Sequence, residues 1–193
     1  RVNLDVSSGL RMVAGSMRHR ASIEGAVVAR NTRDAIVWFP GNFGWSPTNV
    51  GVERLRGVES RAELVHGIAS ASAWVTAYDA VLSTGGLRIP TPYVPRVAGG
   101  AQLQLHTHAQ HATVVWRGMG ARPYTAGPRN PDFELAALSL VDITVAQQLR
   151  ALPYWPWPRL DALVAFSLEN AADASWQSVR GFPSPGRSWA MSF

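Results

Sequence analysis

The sequence predicts an α+β domain in which two long helices pack on a small, mostly antiparallel sheet. Two helix-like patterns and several short apolar segments support this prediction. The 193 residues suit one domain with extended proline-rich arms at 87–97, 152–159 and 181–193. Because the first residue is Arg1 rather than Met, a processed product or an excerpt of a longer polypeptide is a further expectation.

The first helix is predicted at about 61–84. Ser60 suits the N-cap, and Glu63 follows at the capping-box spacing. Apolar and aromatic residues then recur at intervals of four and three, which places them on one helical face. They are Leu64, Ile68, Ala71, Val75, Tyr78 and Leu82. The following Gly85-Gly86 supplies a helix end.

A second helix is predicted at about 131–151. Asn130 can cap it, and Pro131 suits its first position. Its apolar stripe, interrupted by Asp142, consists of Leu135, Leu138, Val145, Leu149 and Leu152. The segment 160–172 fits either a short helix or, through "LVAFSLE", a strand.

Four strands are predicted, at 26–30, 35–39, 101–108 and 111–117. In the third strand, polar and apolar residues alternate, so one face is polar and the other apolar. The polar positions are Gln102, Gln104, His106, His108 and Gln110. The opposite face carries Leu103 and Leu105, as expected of a half-buried strand.

Three histidines, His106, His108 and His111, fall within six positions. On a strand, His106 and His108 face the same side with Cα atoms about 6–7 Å apart, close enough to share a metal ion. His111 joins them only if the intervening chain bulges or turns. A metal centre needs a third or fourth ligand, so a solvated or interfacial strand face is favoured and no cofactor is expected.

The His-x-His pair followed by Gly118 resembles the first motif of the cupins, which combine two such histidines with a downstream Glu. The resemblance implies a small metal-dependent enzyme on a β-scaffold, with His106 and His108 as ligands and His111 as a ligand or general base. This chain departs from the motif because it has no Glu between His108 and Glu134. The cupin-like enzyme is therefore the second functional hypothesis.

Charge is scarce and unevenly placed. Only 16% of residues are charged, and all 18 basic residues are Arg. The window 80–131 has no acidic residue, which favours an anionic partner. Its candidate contacts are Arg88, Arg96, Arg117 and Arg122, with Tyr93, Trp116 and Tyr124 as stacking surfaces. An Arg-rich nucleic-acid-binding module is the third hypothesis.

Aromatic residues in the proline-rich arms are candidates for contacts with neighbouring subunits. They are Tyr154, Trp155, Trp157, Phe182 and Trp189. For the 152–159 group, packing as a clamp on the parent domain itself is the favoured interpretation. A surface so poor in charge also indicates partial coverage by neighbours.

Catalytic motifs are missing from the sequence, so enzymatic activity is not the leading expectation. The leading hypothesis is a non-enzymatic structural protein of a large assembly, a viral capsid component whose partners are copies of itself or other shell subunits. There is no Cys, no signal peptide and no apolar run of 18 residues. The expected location is therefore a virion or the cell interior, with no membrane partner.

Overall fold

The computed structural model describes residues 3–16, 18–34, 36–41, 44–49, 51–84, 86–124, 133–149 and 162–193. These residues form antiparallel β-sheet almost throughout, and none of them lies in an α-helix. The predicted α+β class with two main helices is therefore wrong.

Sixteen strands account for most of the described residues. They are β1 (Asn3–Gly15), β2 (His19–Arg33), β3 (Ile36–Gly41), β4 (Gly44–Asn49), β5 (Val52–His66), β6 (Ala69–Thr84), β7 (Leu87–Pro90), β8 (Val97–His106), β9 (Gln110–Met119), β10 (Arg122–Pro123), β11 (Glu134–Leu135), β12 (Leu138–Gln148), β13 (Leu163–Glu169), β14 (Gln177–Val179), β15 (Phe182–Pro183) and β16 (Ser188–Ser192).

Ten of these strands form one sheet in the order β1-β2-β5-β6-β8-β9-β12-β13-β16, with β7 added beside β6. Every pairing in it is antiparallel. The remaining strands form three two-stranded hairpins, β3-β4, β10-β11 and β14-β15, in the connections at one end of the sheet. The fold is thus a long meander whose strands mostly pair with their sequence neighbours.

The predicted helix 61–84 is instead the end of β5, a tight turn and all of β6. Gly67 takes a positive φ of 59° at that turn, a conformation that glycine adopts without steric cost. The segment 69–73 reads Ala-Ser-Ala-Ser-Ala, a period of two that belongs to a strand. Small residues obscure this period because Ala and Ser differ little in size, so the helical spacing of the larger residues was misleading.

The predicted helix 131–151 is also wrong where the structure describes it. Residues 138–148 form β12, in which Ile143, Thr144 and Val145 are the β-branched types that favour strands. Asp142, which interrupted the helical stripe, lies on the opposite face of the strand from Val141 and Ile143. Residues 131–132 and 150–151 lie outside the described part of the chain. At 163–169 the strand alternative is confirmed as β13.

Two of the three predicted arms belong to regular structure. Segment 87–97 contains β7, which pairs with β6, and segment 181–193 contains β16, which pairs with β13. These segments therefore complete hairpins and sheet edges of their own chain. Segment 152–159 lies outside the described residues.

The predicted strands are confirmed more often than the helices. Residues 26–30 lie within β2, and 35–39 overlaps β3. The prediction at 101–108 corresponds to β8, which ends at His106, and 111–117 lies within β9.

Few side chains are fully enclosed. The buried apolar residues of the described part are Ala80, Leu82, Tyr124, Leu135, Leu140 and Ala146. Most lie at the end of the sheet that carries the long connections, and hydrogen bonds such as Thr91 N to Ala80 O link those connections to the strands. The middle of the sheet therefore has no enclosed core of its own.

The described residues contain no helix that is long enough and apolar enough to cross a membrane.

Candidate functional site: two opposite faces of one sheet

The register of the main sheet sorts its side chains onto two faces. Residues that are direct cross-strand partners point to the same side, and alternate residues of one strand point to opposite sides. The apolar face is defined by the cross-strand row Val27, Val58 and Ala77 and by every second residue from this row along each strand. The row Arg11, Glu24, Arg61 and Trp74 defines the polar face.

The apolar face gathers most of the large hydrophobic side chains that the chain exposes. Of the 27 in the described part, 18 lie on this face, four lie on the polar face and five lie in connections or at the C-terminus. The 18 are Leu4, Val6, Leu10, Met12, Ile23, Val27, Val58, Leu64, Val75, Val97, Leu103, Leu105, Val114, Trp116, Val145, Phe166, Trp189 and Met191. Isolated exposed hydrophobics are ordinary, but a continuous sheet of them marks a surface that meets an apolar environment.

Two polar groups within the apolar band form hydrogen bonds inside the chain. The hydroxyl of Ser60 donates to the backbone oxygen of Glu24 at 3.2 Å. The indole Nε1 of Trp116 donates to Ser139 Oγ at 2.8 Å. Hydrogen bonds of this kind let a polar group face hydrocarbon without losing a partner.

The apolar residues form a band bounded by polar residues along the strands. On β5 this face reads Arg56, Val58, Ser60, Ala62, Leu64 and His66. Arg56 and His66 are ten residues apart, which is about 33 Å along an extended strand. A strand tilted by about 40° would convert that length into a band about 25 Å high.

The polar face carries all four ion pairs found in the described residues. They are Asp5–Arg30 at 3.0 Å, Arg11–Glu24 at 2.8 Å, Arg20–Glu63 at 3.3 Å and the close pair Arg117–Asp142. Each pair joins neighbouring strands. The phenol of Tyr78 on β6 also donates a hydrogen bond to the Glu59 carboxylate on the neighbouring strand β5. This face therefore combines water-compatible charge with cross-strand bonding.

A groove of about 540 Å³ lies over the polar-face row, with Arg11, Glu24, Glu59, Arg61 and Trp74 among its lining residues. Glu24 is paired with Arg11, whereas Arg61 has no ion pair in the described part. The groove can accept polar or charged solutes, as a water-filled interior would.

The three clustered histidines are only partly brought together. The strand ends at His106, so His106 and His111 become cross-strand partners with Nδ1 atoms 3.1 Å apart, and His108 lies in the turn. His111 Nε2 also lies 2.8 Å from Thr113 Oγ1. Within the described ranges, no group of three or more metal-binding side chains is assembled.

A second histidine pair escaped the sequence analysis. His19 and His66 are cross-strand partners at the short-turn end of the apolar face, again with Nδ1 atoms 3.1 Å apart. Forty-six residues separate them in sequence, so only strand pairing reveals the contact.

The four arginines predicted to share an anionic partner do not form one surface. Arg88 lies in β7, and Arg117 is paired with Asp142 on the polar face. Arg96 lines a shallow groove together with Arg56 and Asp79. Arg122 is 3% exposed, with Nη2 donating to Gln177 O and Nη1 unsatisfied among the described residues.

Burial changes the proton affinity of two groups in the long connections. Desolvation lowers the pKa of the Arg122 guanidinium, opposed by the nearby Tyr93 phenol. Desolvation also raises the pKa of Tyr93, opposed by a hydrogen bond and charge from Arg180. Arg180 itself lies over the ring of Tyr124, 4.4 Å from the centroid. These contacts hold successive connections against one another.

The aromatic residues predicted to contact neighbouring subunits lie in different parts of the chain. Trp189 is 72% exposed in β16 and stacks on Phe166 with ring centroids 6.3 Å apart. Phe182 is exposed in β15. Tyr154, Trp155 and Trp157 lie outside the described residues.

Sequence comparisons and fold comparisons differ in outcome. No protein-family model matches the chain, and no curated protein matches it in sequence. Solved structures do match. The copper transporter OprC covers 97% of the chain with a TM-score of 0.66 and 16% identity. The FrpB iron transporter from Neisseria meningitidis (F3-3 variant) covers 98% with a TM-score of 0.65 and 12% identity.

The ferric yersiniabactin uptake receptor FyuA from Yersinia pestis also covers 98% of the chain, with a TM-score of 0.66 and 12% identity. The chain spans 30%, 30% and 28% of the lengths of these three structures. The likeness is one of fold.

These findings correct the functional hypotheses. Structures that share this fold are transporters and uptake receptors, so the capsid hypothesis, the cupin-like enzyme and the nucleic-acid-binding module are wrong. A virion location loses its support with them. The low charge content suggested contacts with neighbouring subunits. In the structure, charged residues are scarce mainly on one face of one sheet.

Proposed function

We propose that the chain forms part of the wall of a membrane-spanning β-barrel, of the outer-membrane type, in a transporter or uptake receptor. The observation that carries the proposal is the segregation of exposed side chains, with 18 large hydrophobics on one face and all four described ion pairs on the other.

Water disfavours such an apolar face. Each exposed side chain of this size forfeits about 1.5–3 kcal/mol relative to burial. Eighteen of them on a folded sheet require an apolar surrounding, and lipid supplies it without a protein partner. The alternation of apolar and polar residues along long strands is what strands of a membrane barrel show.

The backbone meets the same requirement. In lipid, every main-chain N–H and C=O needs an internal partner, which a continuous antiparallel ladder provides. Strands β2, β5 and β6 pair over 15 consecutive positions with an unbroken register. About 9–11 residues of tilted strand cross the hydrocarbon core, so these strands are long enough.

The polar face would line the interior of the barrel. Its ion pairs and the groove at Arg11, Glu24 and Trp74 tolerate water, and none of its charges then faces hydrocarbon. This division explains how a chain without a long apolar run can belong to a membrane. Each strand contributes only every second residue to the lipid face.

The connections indicate an orientation. At one end of the sheet three of the four links are short, at 16–18, 67–68 and 107–109, and the fourth, between β12 and β13, spans 149–162. At the other end they are long and carry the hairpins β3-β4, β10-β11 and β14-β15. Outer-membrane barrels place short turns in the periplasm and long loops outside the cell. We assign the long connections to the extracellular side.

Single-cysteine scanning tests the proposal, since the sequence has no Cys to interfere. Fluorophores at positions 23, 25 and 27 of β2 should be quenched by lipids labelled in their acyl chains. Fluorophores at positions 22, 24 and 26 should instead be quenched by a water-soluble quencher. Equal responses at the two sets would rule out a lipid-facing sheet.

A further inference from the structure

We propose that Arg54 and Arg56, here termed the basic cluster, bind the phosphate of anionic membrane-lipid headgroups at the long-connection edge of the apolar band. The inference rests on the proposed function, because the lipid must first reach the apolar face. The argument comes from the position of these side chains, their charge balance and the grooves beside them.

Arg54 and Arg56 point to the apolar face from β5, where alternate residues of the same strand are apolar. Their cross-strand partners on β2 are Asn31 and Ala29, and Val58 is the next residue of the face. Both arginines are exposed. They thus lie where the apolar band ends and lipid headgroups begin.

The basic cluster has an excess of positive charge. Asp79, the cross-strand partner of Arg56, is the acidic residue beside it on this face. Neither Arg54 nor Arg56 forms an ion pair within the described part of the chain, whereas four arginines of the polar face do. An excess of guanidinium groups over carboxylates suits bidentate contacts to phosphate.

Two grooves flank the arginines and supply apolar surface for acyl chains. One, of about 180 Å³, is lined by Leu4, Val6 and Ala29 together with Arg54 and Arg56. The other, of about 530 Å³, is lined by Val58, Ala77, Asp79 and Arg96 together with Arg56. Charge next to apolar grooves matches a phospholipid better than a free anion, which would gain nothing from the grooves.

The test uses the full-length protein purified from its source. The protein is reconstituted in phosphatidylcholine bilayers that contain a trace of spin-labelled lipid. Electron paramagnetic resonance measures the motionally restricted fraction of labelled phosphatidylglycerol and of labelled phosphatidylcholine. One arginine near a bilayer surface contributes about a fivefold preference for anionic lipid. We expect a preference of roughly five- to tenfold for phosphatidylglycerol, lost in Arg54→Gln/Arg56→Gln and retained in Arg54→Lys/Arg56→Lys.

Arg61→Gln is the matched control, because Arg61 lies on the same strand, is exposed and unpaired in the described part, and faces the polar side. It should leave the preference unchanged. A wild-type ratio near one, with restricted phosphatidylcholine still present, would overturn the lipid site and spare the proposed function. An absence of any restricted lipid would overturn both.

Inorganic phosphate at constant ionic strength distinguishes lipid from free anion. If the cluster binds headgroups through phosphate and grooves together, millimolar phosphate leaves the preference intact. Displacement of phosphatidylglycerol by millimolar phosphate would show that the arginines take the free anion, and the lipid proposal would be wrong.

Discussion

Trp74 and Gly100 are direct cross-strand partners, and the Trp74 indole occupies the space above the glycine. A Cβ built at Gly100 would lie 2.8 Å from Trp74 Nε1 and 2.8 Å from the backbone oxygen of Trp116. The absence of a side chain at Gly100 is therefore what allows the large ring to lie flat along the polar face. An aromatic ring over a strand glycine also restores packing that glycine lacks.

Gly100→Ala should destabilise the protein by about 1–3 kcal/mol, because the indole and a backbone oxygen must both shift. Gly25→Ala is the matched control, since a Cβ there meets only the Glu59 oxygen at 3.9 Å. Urea unfolding in lipid vesicles, followed by tryptophan fluorescence, measures both variants. Equal stability of the two alanine variants would contradict the packing argument.

Ala73 and Ser72 are adjacent small residues on opposite faces of β6. Ala73→Lys places a charge in the middle of the apolar band and should cost about 2–4 kcal/mol if that band meets lipid. Ser72→Lys places the same charge on the polar face beside Glu63 and should cost little. Urea unfolding in vesicles gives the two free energies. A smaller penalty at Ala73 than at Ser72 would count against the assignment of faces.

Asp142 ties the sheet to the connection that follows β13. Its Oδ1 accepts from the backbone N–H of Asn170 at 2.9 Å, and its other oxygen pairs with Arg117. Asn170 is 5% exposed with a φ of 48°, and its side chain exchanges two hydrogen bonds with Ala174. Removal of the carboxylate leaves a buried donor unsatisfied, which costs about 1–3 kcal/mol.

We therefore expect Asp142→Ala to speed proteolysis within residues 170–187 at least severalfold. Asp5→Ala serves as control, because its pair with Arg30 is half-exposed and such pairs contribute about 0–1 kcal/mol. Cleavage at the wild-type rate in the Asp142 variant would show that other contacts hold this connection.

The Tyr93 phenol makes the long connections sensitive to alkali. Burial raises its pKa above the ordinary value of 10.0, so the folded protein binds this proton more tightly than the unfolded chain. The resulting stability is complete below pH 10 and is lost as the pH rises through the folded-state pKa. Phenolate absorbance at 295 nm should show one late-titrating tyrosine fewer in Tyr93→Phe than in the wild type. Titration of that tyrosine at or below pH 10 would refute the burial effect.

Much of the local pattern could be predicted from the sequence. The alternation of Gln102, Leu103, Gln104 and Leu105 predicted a strand with one polar and one apolar face, and β8 has that arrangement. The "LVAFSLE" segment was ambiguous between helix and strand, and pairing with β12 and β16 decided it. Short-range alternation is visible in sequence because it repeats every two residues.

The helices failed for a related reason. In 69–73 the alternation runs through Ala and Ser, whose small difference hides the period, while larger residues on either side happened to recur at helical spacing. Strand pairing then overrode local preference, since β6 bonds with β5 on one side and β8 on the other.

The sequence by itself determined which residues alternate, how little charge the chain carries and where turns can form. Only the tertiary structure decided that the apolar residues of nine successive strands share one face, and that His19 meets His66 or Arg54 neighbours Asn31. The physical reason is that a strand pattern specifies two faces without saying which is covered. That choice depends on pairing between distant segments and on whether water or lipid lies outside the sheet.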